Sequence, residues 1–282
     1  MMVTMKTDNP VIDYYRTWES KLGYRWLEGI KHFGYYPEGQ ENLPKKDAQL
    51  LMDEQLARAL ALPKGAKVLD AGCGEGGVAI YLAQKHGLQV SGIDLLDFNV
   101  KRAKANAKEQ AVSGVDFQEG TYMKLPFPDN TFDGLYTMET FVHAPDYKQG
   151  LAEFARVLKP GGTLALFEYS MPSEADVPDD RKKVYQEIRF INDIASMPAF
   201  NEFVHGTFAE KLQAAGFKQA SETDITPRII PMLKLFYEKA RKPYKVIQRL
   251  GLQKHFVNAM SAVVLYENHD LWRYNIVTAR KR

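Results

Sequence analysis

Short apolar runs alternate with longer amphipathic stretches between residues 66 and 170. The runs that predict buried strands are Lys67–Ala71, Gln89–Asp94, Val115–Glu119, Phe132–Thr137 and Thr163–Tyr169. The stretches with apolar residues at helical spacing are Val78–His86, Asn99–Gln110 and Tyr147–Leu158. This alternation predicts a parallel sheet with helices on both faces. Further strands near Ala220–Asp224 and Trp272–Arg280 bring the prediction to an α/β, Rossmann-like, seven-stranded and mainly parallel sheet.

Three stretches do not follow this alternation: residues 1–62, about 171–206 and 227–268. We expect them to form a helical cap, so that 1–62 is an N-terminal cap segment and 63–282 is a domain with two cap insertions. The first stretch contains a predicted helix, Asp47–Leu62. It is also rich in aromatic side chains, namely Tyr14, Tyr15, Trp18, Tyr24, Trp26, Phe33, Tyr35 and Tyr36.

The insertion 227–268 carries a basic run, Lys239–Lys245. It is either a solvated helix face or the rim of a lid that meets an anionic head group or a membrane surface.

A glycine-rich turn follows the first predicted strand. Gly72, Gly74 and Gly76 allow backbone N–H groups to approach a ligand closely before the next helix begins. The second predicted strand ends at Asp94, about 20 residues further on, where a carboxylate can accept both hydroxyls of a ribose. The pattern predicts a cofactor that contains a nucleoside; the alternative is a strand-turn-helix without a ligand.

Composition excludes several classes of function. A net charge of +2 over 282 residues gives no general affinity for nucleic acid. The single cysteine, Cys73, excludes an intramolecular disulfide, and no Cys and His cluster predicts a metal site. No run reaches the ~18 apolar residues of a membrane span. The polar start Met1–Pro10 lacks the apolar core of a signal peptide, so we expect a cytoplasmic enzyme.

The segment Asp70–Gly77, followed by Gly92-Ile93-Asp94, resembles the first two motifs of class I S-adenosylmethionine-dependent methyltransferases. The segment Tyr136–Pro145, which includes Glu139 and His143, is similar to one in sterol C-methyltransferases. The aromatic segment Gly29–Pro37 resembles one that precedes the fold in the sterol C-methyltransferase and gamma-tocopherol methyltransferase branch. The resemblance implies S-adenosyl-L-methionine as cofactor and S-adenosyl-L-homocysteine as product. It implies cofactor contacts from Asp70, Gly72, Cys73, Gly74, Asp94, Leu95, Asn99, Thr121, Tyr122 and Glu139.

The segment Gly120–Asp133 also resembles a motif of this family, with one departure. Thr121 stands where the family has an Asp that accepts from the adenine amino group. Either the threonine hydroxyl or a neighbouring backbone group must accept that bond instead.

The resemblance implies a small hydrophobic, isoprenoid-type acceptor that is C-methylated through a carbocation. Such a reaction needs aromatic faces to stabilise the cation and a base to remove a proton. The candidate catalytic residues are Glu139, His143, Tyr14 and Tyr36. The alternatives are O- or N-methylation of an aromatic or alkaloid-like product, and a non-catalytic cofactor-binding protein, which Thr121 favours. The oligomeric state stays open, a homo-oligomer included.

Overall fold

The computed structural model describes residues 9–17 and 32–282 of the chain. Its strands form one seven-stranded sheet in the order β3-β2-β1-β4-β5-β7-β6. The strands are β1 (Lys67–Ala71), β2 (Gln89–Asp94), β3 (Val115–Glu119), β4 (Phe132–Met138), β5 (Leu158–Ser170), β6 (Phe217–Asp224) and β7 (Arg273–Lys281). β1 to β5 pair in parallel, and β7 is antiparallel to both β5 and β6. This confirms the predicted mainly parallel sheet.

Nine α-helices accompany the sheet in the described ranges 9–17 and 32–282. They are α1 (Pro10–Arg16), α2 (Lys45–Leu60), α3 (Gly77–His86), α4 (Asp97–Glu109), α5 (Tyr147–Val157), α6 (Lys182–Ile194), α7 (Phe208–Ala214), α8 (Thr226–Arg249) and α9 (Val257–Glu267). The ends of the predicted strands and helices differ from the observed ones by a few residues, and the largest difference is at the start of β5. That strand begins five positions before the predicted Thr163, because Leu158 already pairs with Phe132 of β4.

Strand β1 lies at the centre of the core. Four of its five residues are buried, as expected for a strand covered by helices on both faces. The turn that follows needs glycine at Gly76, which has a φ of 80°. A Cβ at Gly76 would lie 2.8 Å from the ring of Phe117, so α3 packs close to β3 only because that atom is missing.

The strand order reverses between β1 and β4, so their connections leave on opposite faces of the sheet. In open α/β sheets a crevice forms at such a point, at the carboxyl ends of the strands. The sheet register places Asp70 of β1 beside Tyr136 of β4. The crevice therefore opens between the glycine turn and the end of β4.

The predicted insertions supply helices above this crevice. Residues 171–206 contain α6, residues 227–268 contain most of α8 and all of α9, and α9 packs on both α8 and α6. The predicted domain division stays a prediction, because much of the segment 1–62 lies outside the described residues. Trp18, Tyr24 and Trp26 of its aromatic cluster are among the residues not described.

No helix in the described ranges is both long enough and apolar enough to cross a bilayer.

Candidate active site

A cavity of about 1360 Å³ occupies the carboxyl ends of β1, β2 and β4 beneath the cap. Pockets for a single small ligand usually measure ~300–1,000 Å³. The volume is therefore large enough for a cofactor and an acceptor together. The sheet side is lined by the glycine turn and strand ends, and the cap side by residues of α1, α6, α8 and α9.

The glycine turn lies on the sheet side of the cavity. Gly72 has a φ of 106° and Gly74 a φ of 53°, both in the left-handed region that glycine tolerates. A Cβ at Gly72 would lie 2.3 Å from Oγ1 of Thr140, so the turn after β4 also requires glycine there. Gly72 and Cys73 both donate their N–H to the carbonyl of Ile93, which fastens the turn to β2.

Asp94 is buried at the end of β2 and lines the cavity. Its Oδ2 accepts the N–H of Gly74 at 2.8 Å. Its Oδ1 accepts the N–H of Leu96 at 2.9 Å and the amide of Asn99 at 3.0 Å. These donors fix the carboxylate, and its remaining lone pairs can accept hydroxyl groups.

Asp70 is buried at the end of β1, beside the same turn. Burial raises the pKa of its carboxyl to about 7, while the neighbouring Tyr136 lowers it and Asp94 raises it. A positively charged ligand in the cavity would reduce the cost of ionising this group.

Thr121 and Tyr122 line the same half of the cavity beyond the end of β3. Oγ1 of Thr121 accepts the N–H of Met123 at 3.2 Å and can still donate its own proton. The Tyr122 hydroxyl donates to the carbonyl of Thr140 at 2.9 Å, and burial raises the pKa of this phenol.

All ten residues expected to contact the cofactor line this one cavity. A carboxylate fixed for hydroxyl groups, a glycine turn without side chains and a buried second carboxyl fit a nucleoside that carries a cation. The residues present therefore fit S-adenosyl-L-methionine.

Glu139 directly follows β4 and has a φ of 57°, which is strained for a residue with a side chain. Its carboxylate accepts three hydrogen bonds: from the N–H of Phe33 at 2.7 Å and from the hydroxyls of Tyr169 and Tyr274. Burial raises the pKa of Glu139, and the two hydroxyls together with the nearby His32 oppose that shift. The side chain is thus tied to its protein neighbours.

His143 is buried and lies between two partners. Its Nδ1 lies 2.7 Å from the carbonyl oxygen of Ser196, which can only accept, so Nδ1 carries the proton. Burial lowers the pKa of His143 to about 4. The neutral ring therefore accepts the Tyr15 hydroxyl at Nε2, over 2.9 Å, and joins α1 to the segment after α6.

His32 also lines the cavity and was not predicted as a site residue. Burial opposes a charge on its ring, but the Asp53 carboxylate 3.0 Å away raises its pKa. Its Nδ1 donates to the carbonyl of Phe33 at 2.9 Å. His32 lies in the aromatic segment just before Tyr36, and this position could have indicated it as a site residue. The sequence prediction considered only the aromatic side chains of that segment.

The two candidate catalytic tyrosines lie in different places. Tyr14 lines the cavity and donates to the side chain of Asn258 at 3.0 Å. Tyr36 does not line it: the side chain is buried in a small separate cluster with Ala48 and Met232. The expectation that Tyr36 faces the acceptor is thereby corrected, because the backbone of Tyr36 is bonded to Arg228 on α8.

Comparison with known proteins gives one family. Residues 69–166 match the family described as a methyltransferase domain. The chain is 36% identical to the S-adenosyl-L-methionine-dependent Diels-Alderase iccD of Talaromyces variabilis, over 95% of this chain and 93% of that protein. It is 33% identical to the sterol 24-C-methyltransferase ERG6B of Gibberella zeae. That match covers 75% of this chain but only 54% of the other protein. Among solved structures, the [4+2]-cyclase SpnF has a TM-score of 0.76 at 25% identity, over 99% of both chains.

Proposed function

The chain belongs to the class I S-adenosyl-L-methionine-dependent methyltransferase family, and from this premise we propose that it catalyses an intramolecular [4+2] cyclisation of a large apolar polyene. The enzymes of this family are of EC 2.1.1 type, and its cofactor is S-adenosyl-L-methionine. The cofactor supplies a sulfonium cation and an activated methyl group when it is bound.

Similarity along the whole chain supports cyclisation. The relative named a Diels-Alderase matches through both the sheet domain and the cap, at 36% identity. The sterol 24-C-methyltransferase matches a shorter part of the chain at lower identity. Since the cap supplies the acceptor side of the cavity, similarity that includes the cap carries more weight for the acceptor.

The observation that carries the proposal is the state of Glu139, His143 and His32, three cavity-lining side chains of types that can remove a proton. Glu139 is held by three donors, and His143 is neutral, with a pKa lowered to about 4 by burial and both ring nitrogens occupied. His32 is engaged with Asp53 and Phe33. Methylation through a carbocation must release a proton, whereas a [4+2] cyclisation only rearranges electron pairs within one molecule.

The chain's own contribution is enclosure and folding of the substrate. Apolar side chains from three parts of the cap, Met197, Leu233 and Leu265, face the cavity together with aromatic rings such as Phe33 and Phe236. Such walls favour a compact polyene over an extended one, because compaction removes apolar surface from water. Holding the two reacting ends near contact lowers the entropic part of the barrier; in well-oriented reactions this contributes ~7–11 kcal/mol.

The test compares the mass of substrate and product. Purified protein with S-adenosyl-L-methionine is incubated with linear polyenes that contain a conjugated diene and a second alkene. The products are then separated, and their masses are measured by mass spectrometry. We expect a cyclic isomer of unchanged mass, formed faster than without protein. A product heavier by one CH₂, or no acceleration across the panel, would contradict the proposal.

The second candidate is C-methylation of an isoprenoid-type acceptor, which the sterol 24-C-methyltransferase relative supports. The rings of Phe33, Tyr169 and Tyr274 surround Glu139 and could stabilise a carbocation near its carboxylate. Sterols, prenyl quinols and prenyl diphosphates tested in the same assay would then give products heavier by one CH₂. Aromatic hydroxyl and amine acceptors in the panel test O- and N-methylation.

A further inference from the structure

The second half of α8 and the turn after it carry a local excess of positive charge. Residues 239–266 include six Lys and Arg side chains and no Asp or Glu, although the whole chain has a net charge of only +2. The six are Lys239, Arg241, Lys242, Lys245, Arg249 and Lys254. Arg241 forms an ion pair with Glu238 at 2.8 Å, which leaves the group strongly basic.

Aliphatic side chains are exposed at the end of α8 and in the turn that follows it. Val246 is 54% exposed, Leu250 65% and Leu252 38%. Residues 235, 239, 242, 246 and 250 are spaced by three or four positions, so Leu235, Val246 and Leu250 share one stripe with two lysines. The opposite face of α8 is buried through Ile229, Leu233 and Tyr244. The basic face of α8 is the name we give to this stripe (Leu235, Lys239, Lys242, Val246 and Leu250) together with Lys245, Arg249 and Leu252.

The basic face adjoins the cap wall of the cavity. Lys239 and Ala240 of α8 line the cavity, as do Asn258 and Ala259 at the start of α9. The turn that carries Leu250 and Leu252 connects these two helices. The helices α8 and α9 therefore connect the basic face to the cavity. A substrate released from a surface bound at the basic face would enter the cavity beside these two helices.

We propose that the basic face of α8 docks on an anionic lipid surface and places the cavity beside it. Lysine and arginine side chains would contact lipid phosphates, and Val246, Leu250 and Leu252 would enter the boundary of the acyl chains. Basic and aliphatic side chains together on an exposed helix are the pattern of helices that lie in a membrane interface. The positive charge of the basic face requires a negatively charged partner. The exposed aliphatic side chains among the cations favour a lipid surface, because its acyl chains can bury them.

The experiment measures binding of the full-length protein to vesicles by co-sedimentation. Vesicles of phosphatidylcholine are compared with vesicles that also contain phosphatidylserine. We expect binding to the anionic vesicles only, and weaker binding at higher ionic strength. The triple change Lys242→Gln, Lys245→Gln and Arg249→Gln should lower affinity on the order of 100-fold, about fivefold for each cation.

Two further variants separate the lipid from other partners. The control Lys85→Gln, Lys104→Gln and Lys108→Gln removes three exposed lysines on α3 and α4 and should bind as the wild type does. The double change Val246→Ser and Leu250→Ser keeps every charge and should weaken vesicle binding. Circular dichroism confirms that each variant is folded.

Three results would overturn the proposal. The first is absence of binding to anionic vesicles, or a loss of vesicle affinity in the control variant that equals the loss in the triple variant of α8. The second is binding to polyglutamate that is as tight as binding to anionic vesicles and does not depend on Val246 and Leu250. That result would indicate that the partner of the basic face is an acidic protein. The third is self-association without vesicles that the double serine variant abolishes, which would assign the face to a second copy of the chain.

Discussion

Asp94 combines two roles in one side chain. It accepts three N–H groups that fix the turn around Gly74 and the start of α4, and it lines the cavity. Loss of the carboxylate removes those bonds together with the acceptors for a ribose. The residue that fixes the turn is thus also the one expected to hold the nucleoside.

Asp94→Ala should weaken binding of S-adenosyl-L-methionine by ~10–100-fold, because hydrogen bonds to a charged group contribute ~1.5–3 kcal/mol each. Isothermal titration calorimetry measures the change. The matched control is Asp97→Ala, which removes an exposed carboxylate paired with Lys101 one turn away. Equal affinity in Asp94→Ala and wild type would contradict the cofactor site.

Glu168 is fully buried on β5 and holds the turn after β4. Its Oε1 accepts from the hydroxyl of Thr137 and from the N–H groups of Thr140 and Phe141. Its Oε2 has no hydrogen-bond partner among the described residues. Burial raises the pKa of this carboxyl to about 8, even though the bonds on Oε1 oppose the shift.

The raised pKa of Glu168 predicts a pH dependence of stability. Between pH 4.5 and about 8 the folded state holds a proton that the unfolded chain has lost, so the free energy of unfolding falls as pH rises. One such proton gives a slope of at most ~1.4 kcal/mol per pH unit.

Glu168→Gln should reduce this slope, since an uncharged amide replaces the protonated acid at every pH. Urea unfolding at several values between pH 5 and 8 measures it. The exposed Glu210→Gln on α7 serves as control and should keep the wild-type slope. If Glu168→Gln also keeps that slope, Glu168 does not hold the proton.

Residues at strand ends could be predicted from the sequence, whereas the states of the side chains could not. Asp94 ends one recognisable strand, Glu139 follows another, and both line the cavity. The neutral state of His143 depends on Ser196 and Tyr15, which are distant in sequence. The same applies to Tyr36, whose position depends on contacts with α2 and α8.

At the scale of elements, α1 is joined to the rest of the molecule by hydrogen bonds and by ring contacts of Tyr14 and Tyr15 with His143. Tyr15 donates to His143, Tyr14 donates to Asn258 of α9, and the carbonyl of Pro10 accepts the Ser196 hydroxyl. No residue of α1 is fully buried. Hydrogen bonds of this kind contribute ~0.5–1.5 kcal/mol each, so each of them helps to hold α1 over the cavity.

Tyr15→Phe should increase opening of α1 by ~2–10-fold, because one hydrogen bond across that closure is lost. Hydrogen exchange of the backbone amides of residues 10–16, followed by mass spectrometry, measures opening without a substrate. Tyr147→Phe removes a comparable hydroxyl that bonds Lys211 away from the cavity and should leave α1 unchanged. Identical exchange in Tyr15→Phe and wild type would show that this bond does not hold α1.

The sheet elements could be predicted from the sequence more completely than the cap. Their strands are continuous apolar runs and their helices end at glycine, as α3 does at Gly87. In the cap, α8 continues through Pro231 and Pro243, which usually indicate a break. Its amphipathic face, packed against α9, maintains the helix where the local signal is against it.

At the scale of the molecule, the sheet and the cap supply different halves of one cavity. The sheet half contains the glycine turn, Asp70 and Asp94, and the cap half contains mostly apolar and aromatic side chains. This division explains why the family could be recognised from motifs of the sheet. Substrate and reaction depend on the cap, whose residues come together only in the folded chain.

The most direct measurement is the number of product molecules formed per S-adenosyl-L-methionine consumed. Enzyme loaded with an equimolar amount of the cofactor is given an excess of a linear polyene with a diene and a second alkene. Our account predicts many cyclic product molecules for each enzyme, with the cofactor recovered unchanged. One S-adenosyl-L-homocysteine for every product molecule would contradict it and assign the cavity to methyl transfer.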